Sequence, residues 1–176
     1  MISKIKDKIS EFVAVKKFAR NQNSEKSFKK FFTEANDVLI ILPSNSDRLS
    51  IDIIELIRFV VIHKKKLFIV HKNIHREYLP LDYEYASLII RDTDKTKLGL
   101  PTSELVQKIE KYTFDLVIDL NTKVDVFSSA ISNIPQANFR IGFVKRKSDL
   151  FYNYQISNEI NSEKSHRNLL NSLRMF

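Results

Sequence analysis

The polar residues best placed to meet a ligand lie just after long apolar runs. "DVLIILP" (37–43) leads into Ser44, Asn45 and Asp47 of "SNSDR". "FDLVIDL" (114–120) leads into Asn121 and Lys123, and Arg140 opens "RIGF". Serine, asparagine, lysine and arginine suit recognition of hydroxyl and anionic groups, because they carry the donors and acceptors such groups need. Each also has a purely structural reading. Asp47 fits the first turn of a helix starting near Leu49, where an acid meets the positive end of the dipole. Asn121 and Lys123 fit a solvated loop. Arg140 either faces a ligand or pairs with an acid on a neighbouring strand, such as Asp119.

Several kinds of chemistry are excluded. The chain has two glycines, Gly99 and Gly142. Neither a G-x-G-x-x-G turn nor a Walker loop is present, so a glycine-cradled phosphate is ruled out. There is no H-E-x-x-H and no G-x-S-x-G elbow. His71 and His75 are four apart, but they follow a strand pattern, where that spacing does not align them as metal ligands. Ser128 and Ser129 lie on an apolar-faced helix and read as packing or capping residues. No metal and no cofactor is expected.

The elements that must position these loops alternate in type. Continuous apolar runs at 37–43, 66–72, 86–92, 114–120 and 139–144 read as strands buried on both faces, with a sixth at 151–157. Between them lie helical patterns at "LSIDIIELIRFVVIHKKK", at "LGLPTSELVQKIEKYT" opening near Pro101 or Thr102, and at "VDVFSSAISNI". In the second, Leu105, Val106, Ile109 and Tyr112 are expected to face inward. "SEKSHRNLLNSLRMF" closes the chain as a helix. This grammar predicts an α/β fold: one Rossmann-like domain, its mostly parallel sheet covered by helices on both faces. In such sheets ligands bind beyond the carboxyl ends of the strands. Gly142, inside a strand, calls for a close backbone approach. The expected neighbours are the "FDLVIDL" strand and the helix after it, with its small Ser128, Ser129 and Ala130.

The organisation is read as a basic helical extension (1–35), the Rossmann-like domain (36–160) and a terminal helix (161–176). The net charge is +8, and residues 1–32 carry nine Lys/Arg against three acids. Ile2, Ile5, Ile9, Phe12 and Val13 fall on one helical stripe among lysines. Such a segment suits an anionic membrane surface, nucleic acid or an acidic partner. Phe28, Phe31 and Phe32 are either interfacial anchors or, the favoured reading, core residues of a second short helix. There are no cysteines, which suits a reducing cytoplasm. No stretch reaches the roughly 20 apolar residues of a membrane-spanning helix.

The ordered series "FDLVIDLN…FRIGF…LFYNYQI…H" resembles glycosyltransferase family 9, the heptosyltransferases of lipopolysaccharide assembly. It covers about residues 37–176 and matches the N-terminal half of that family. Arg140, Ile141, Gly142, Phe143, Leu150, Tyr152 and His166 carry it. The resemblance implies a two-domain GT-B fold in which the N-terminal domain holds the acceptor and the C-terminal domain binds the nucleotide sugar. It also implies a general base after the first strand, acting in an inverting transfer. Asp47 is the candidate for that role, although the family's glycine-aspartate pair is absent from "PSNSDRLS". Ser44, Asn45, Asn121, Lys123 and Arg140 are the matching substrate-binding candidates. The family's nucleotide-sugar domain would follow Phe176.

Three functions are therefore expected, in this order. The first is a non-catalytic binding or scaffolding module, peripheral to the cytoplasmic face of the inner membrane. The second is the acceptor-binding half of a split transferase in cell-envelope polysaccharide assembly, with a partner protein or a second copy covering the missing domain. The third, least favoured, is a basic nucleic-acid-associated protein.

Overall fold

A computed structural model describes residues 2–19, 27, 29–80 and 82–176, with side chains from Ile5 onward in the first helix. Phe28 lies outside the described residues. Six strands form one sheet in the order β3-β2-β1-β4-β5-β6. They are β1 (Asp37–Ile41), β2 (Lys66–Lys72), β3 (Ala86–Ile90), β4 (Thr113–Asp119), β5 (Gln136–Phe143) and β6 (Tyr154–Ile156). Every pairing is parallel, and the central register sets Leu39 against Val117 and Ile41 against Asp119. The order reverses between β1 and β4, so the chain winds outward both ways from the middle. This is the point where open α/β sheets leave a crevice.

The helices are α1 (Ile2–Phe18), α2 (Phe31–Glu34), α3 (Ile51–Ile62), α4 (Ser103–Ile109), α5 (Val126–Ile131) and α6 (Ser162–Leu173). Alternation along the strands splits the core into two layers. Val38, Ile40, Leu42, Leu116 and Ile118 pack with α2, α3 and α6. Leu39, Ile41, Val70 and Val117 pack with α1, α4 and α5. The central strands are buried on both faces, as their unbroken apolar runs require.

Local signals explain the boundaries. Thr102 caps α4 by accepting from the Leu105 amide, and Asn161 caps α6 by accepting from Glu163. After α3, Lys64 takes φ 56° and ends the helix in the left-handed conformation.

Three expectations change in detail, and the facing of the α1 stripe is settled. The helix expected from Leu49 begins at Ile51. β3 is an edge strand with exposed or half-buried residues, because nothing pairs beyond it. Tyr112 is exposed; it lies past the end of α4 and packs its ring against Phe68 and Phe114. The stripe on α1 faces outward. Ile5, Ile9 and Phe12 are exposed, while Ser10, Glu11, Ala14 and Phe18 are buried against the domain. Phe31 and Phe32, by contrast, are core residues, and Phe32 stacks on Phe59 at 5.0 Å.

Candidate functional site

The carboxyl ends of the central strands are tied together by Asp119 and Asn121. Asp119 is the last residue of β4 and is fully buried. Its Oδ1 accepts from the Asn121 amide at 3.0 Å and from Asn121 Nδ2 at 2.6 Å. Its Oδ2 accepts from the Tyr152 hydroxyl and from Lys145 Nζ, the latter at 3.3 Å. Lys145 Nζ also donates to the Asn121 carbonyl at 2.7 Å and lies 5.2 Å from the centre of the Tyr152 ring. A buried carboxylate needs this full set of partners, since an unpaired charge there is strongly unfavourable. Burial, then the Asp119 charge, pushes the Tyr152 phenol well above the ordinary value of 10, so it remains a donor.

Asn121 carries the network across to β1. Its Oδ1 accepts from the Ser44 amide at 2.7 Å, and its Nδ2 reaches the Leu42 carbonyl at 3.4 Å. Ser44 Oγ donates to Asp125, which also caps α5 through the amides of Phe127 and Ser128. The cluster therefore fixes the strand ends and the loops beyond them. It leaves Asp119 no access to solvent for proton transfer.

Beside this cluster a cleft of about 630 Å³ opens between the 43–50 loop, the start of α3, the 122–123 loop and the start of α6. Asn45, Arg48, Ser50, Lys123, Glu159 and His166 are among its lining residues. Two polar atoms of its lining residues are buried without a hydrogen-bond partner: Ser50 Oγ, at the N-cap of α3, and His166 Nδ1. His166 Nε2 lies 3.0 Å from the Leu120 carbonyl. A carbonyl only accepts, so Nε2 carries the proton and Nδ1 presents a lone pair. Burial holds the His166 pKa below the ordinary 6.5, and the Leu120 bond offsets this only in part. The ring is therefore neutral at pH 7. A neutral imidazole acceptor and a serine hydroxyl among the lining residues, with one arginine and one lysine, suit a hydroxyl-bearing ligand.

A second, smaller recess of about 230 Å³ lies on the α1 side of the 122–125 loop. Ser44, Asn45, Asn121 and Lys123 line it together with Asp7 and Ser10. A wider hollow of about 750 Å³ runs along the β3 edge, away from the Asp119 cluster.

The sequence candidates thus divide. Asn45 and Lys123 line both the cleft and the recess. Ser44 and Asn121 line only the recess, and their polar atoms serve the strand-end network. Asp47 lines neither; its side chain is 76% exposed and sits 3.9 Å from Lys72 Nζ. Arg140 is a correction. It is buried, and its guanidinium donates to the carbonyls of Ser132, Ala137 and Pro135 at 2.9–3.1 Å. It pins the α5–β5 connection instead of facing a ligand or pairing with Asp119. His75, likewise, donates to the Ser46 carbonyl at 2.7 Å and braces the 43–50 loop. Among the described residues no group of three or more His, Asp or Glu is arranged to hold a metal.

Sequence reasoning missed Ser50, which reads as an ordinary residue before a helix. It also missed the joint role of Asp119, Lys145 and Tyr152. His166 was legible only as part of a motif, not as a residue of the cleft.

No family model matches the chain, and no curated protein matches it. Among solved structures, it is similar to the heptosyltransferase WaaC of E. coli, determined with ADP. The superposition has a TM-score of 0.52 and 18% sequence identity, and covers 77% of this chain. The likeness is one of fold. The chain spans 46% of the length of that protein.

Proposed function

We propose that the chain is a heptosyltransferase-like glycosyltransferase fragment that binds a hydroxyl-rich sugar in the carboxyl-end cleft without transferring a sugar to it. The observation that carries this reading is the pair of buried, unpartnered polar atoms, Ser50 Oγ and His166 Nδ1, in the lining of that cleft. Buried polar atoms left unpaired cost stability, and a bound hydroxyl would satisfy them. A sugar supplies several hydroxyls at short spacing, each both donor and acceptor. Arg48 and Lys123 add affinity for an acidic substituent. The fold likeness to a heptosyltransferase supports a sugar over other polyols.

The non-catalytic part of the reading rests on Asp47. A general base must come within hydrogen-bond reach of the hydroxyl it deprotonates. Asp47 is exposed and turned toward Lys72. Its neighbours Ser46 and Arg48 do line the cleft. That favours a second reading, in which a partner carrying a nucleotide-sugar site reshapes the loop and makes the chain the acceptor half of a split transferase.

Calorimetry of the purified chain against a panel of neutral, phosphorylated and acidic sugars tests the proposal. Binding of at least one acidic sugar, lost in Ser50→Ala and His166→Phe, is expected, with no turnover of ADP-sugars. Failure of every sugar to bind would overturn it. Transfer activity that vanishes in Asp47→Asn would establish the second reading instead.

A further inference from the structure

The outer face of α1 is independent of the cleft. Ile5, Ile9 and Phe12 recur on successive turns and are 54%, 48% and 64% exposed. They lie opposite the face that holds the helix down. On that inner face Ala14 and Phe18 enter the core with Phe127, Ala130 and Ile131 of α5. Ser10 Oγ donates to the Leu98 carbonyl at 2.6 Å. Glu11 is buried, with Arg146 at 3.1 Å and Lys147 at 3.5 Å. The helix is thus anchored by one face, and three large apolar side chains remain on the other.

The charges around that face are one-sided. Lys6, Lys8, Lys16 and Lys17 of α1 are exposed, whereas of the two acids Glu11 is turned inward and only Asp7 is exposed. We propose that α1 lays Ile5, Ile9 and Phe12 into the surface of an anionic lipid bilayer, with its lysines at the level of the headgroup phosphates. An apolar stripe flanked by lysines on a helix lying in the interface is the arrangement that binds such surfaces. A second copy of the chain fits less well, because antiparallel or parallel pairing of this face would bring two sets of lysines together. Nucleic acid would neutralise the lysines and leave the apolar stripe in water. The anchored inner face means the helix needs no refolding to bind, so the domain would sit against the membrane in a fixed orientation.

The test is flotation of the full chain with vesicles rich in phosphatidylglycerol and with vesicles of pure phosphatidylcholine. Binding to the first, weakened by salt and absent with the second, is expected. Ile9→Ser with Phe12→Ser should lower partitioning at least about tenfold, since most of the inserted apolar area is removed. Lys8→Glu with Lys16→Glu should do so to a similar extent. All four positions are exposed, and an unchanged urea midpoint verifies that the variants fold. The proposal fails if neither vesicle binds or if the variants bind as well as the parent chain. It also fails if the serine pair instead abolishes self-association in sedimentation experiments, or if the chain binds RNA and not vesicles.

Discussion

The ring of Tyr152 lies directly on the backbone of Gly142. A Cβ built on that glycine would stand 2.7 Å from two ring carbons, closer than any non-bonded carbon contact permits. The ring cannot retreat easily, because its hydroxyl is held by Asp119 and Ser129. This is the close approach that a glycine inside a strand implies. Its partner is not the β4 strand or the small residues of α5, as the sequence suggests, but the ring of Tyr152, from the segment before β6. Gly142→Ala is expected to cost about 1–3 kcal/mol, as overpacking does. Urea denaturation measures it, and the penalty should shrink markedly in a Tyr152→Ala background, where the ring is gone.

Lys145 and Asp119 form an ion pair whose side chains are both almost wholly buried. Lys145→Met leaves the carboxylate without its cation and is expected to lose roughly 3–5 kcal/mol. The double variant Asp119→Asn, Lys145→Met should recover part of that loss. Equal destabilisation in the single and double variants would show that the charge pairing contributes little.

Acid should destabilise the fold through its histidines. Burial holds both His71 and His166 below the ordinary value of 6.5. The unfolded chain therefore takes up protons first as pH falls. The stability linked to these residues is complete above pH 6.5 and is lost as the pH drops from there toward their folded values. Urea midpoints measured between about pH 8 and pH 5 should decline on the acid side, and His166→Gln should flatten the slope.

Asp47→Asn is expected to change stability by less than about 0.5 kcal/mol, because an exposed ion pair with Lys72 contributes little. Sugar binding in the cleft should also be unchanged. A loss of binding in this variant would place the Asp47 carboxylate against the ligand.

The sheet was largely legible because its strands are buried on both faces, and that burial writes itself as unbroken apolar runs such as 37–43 and 114–120. The caps at Thr102 and Asn161 are local signals of the same kind. The candidate site was less legible because its contacts join distant residues. Lys145 meets Asp119 across 26 positions, and His166 meets the Leu120 carbonyl across 46. Arg140 was misread for a related reason. Its partners are backbone carbonyls, which carry no residue-type signal. The stripe on α1 shows another limit. Periodicity reveals that one face of a helix is apolar, but not whether that face turns toward the domain, and here buried Ser10, Ala14 and Phe18 took the inner side.

The attachment of α1 also sets an order of events. Its anchors are the Leu98 carbonyl, 88 positions along the chain, and Arg146, 135 positions along. During synthesis α1 is made before the surfaces that hold it. Ala14 and Phe18 wait for α5, and Glu11 waits for Arg146 and Lys147 in the loop after β5. Until α5 is in place both faces of α1 are open to solvent at once, so a basic, doubly apolar helix stays exposed while most of the sheet is being made.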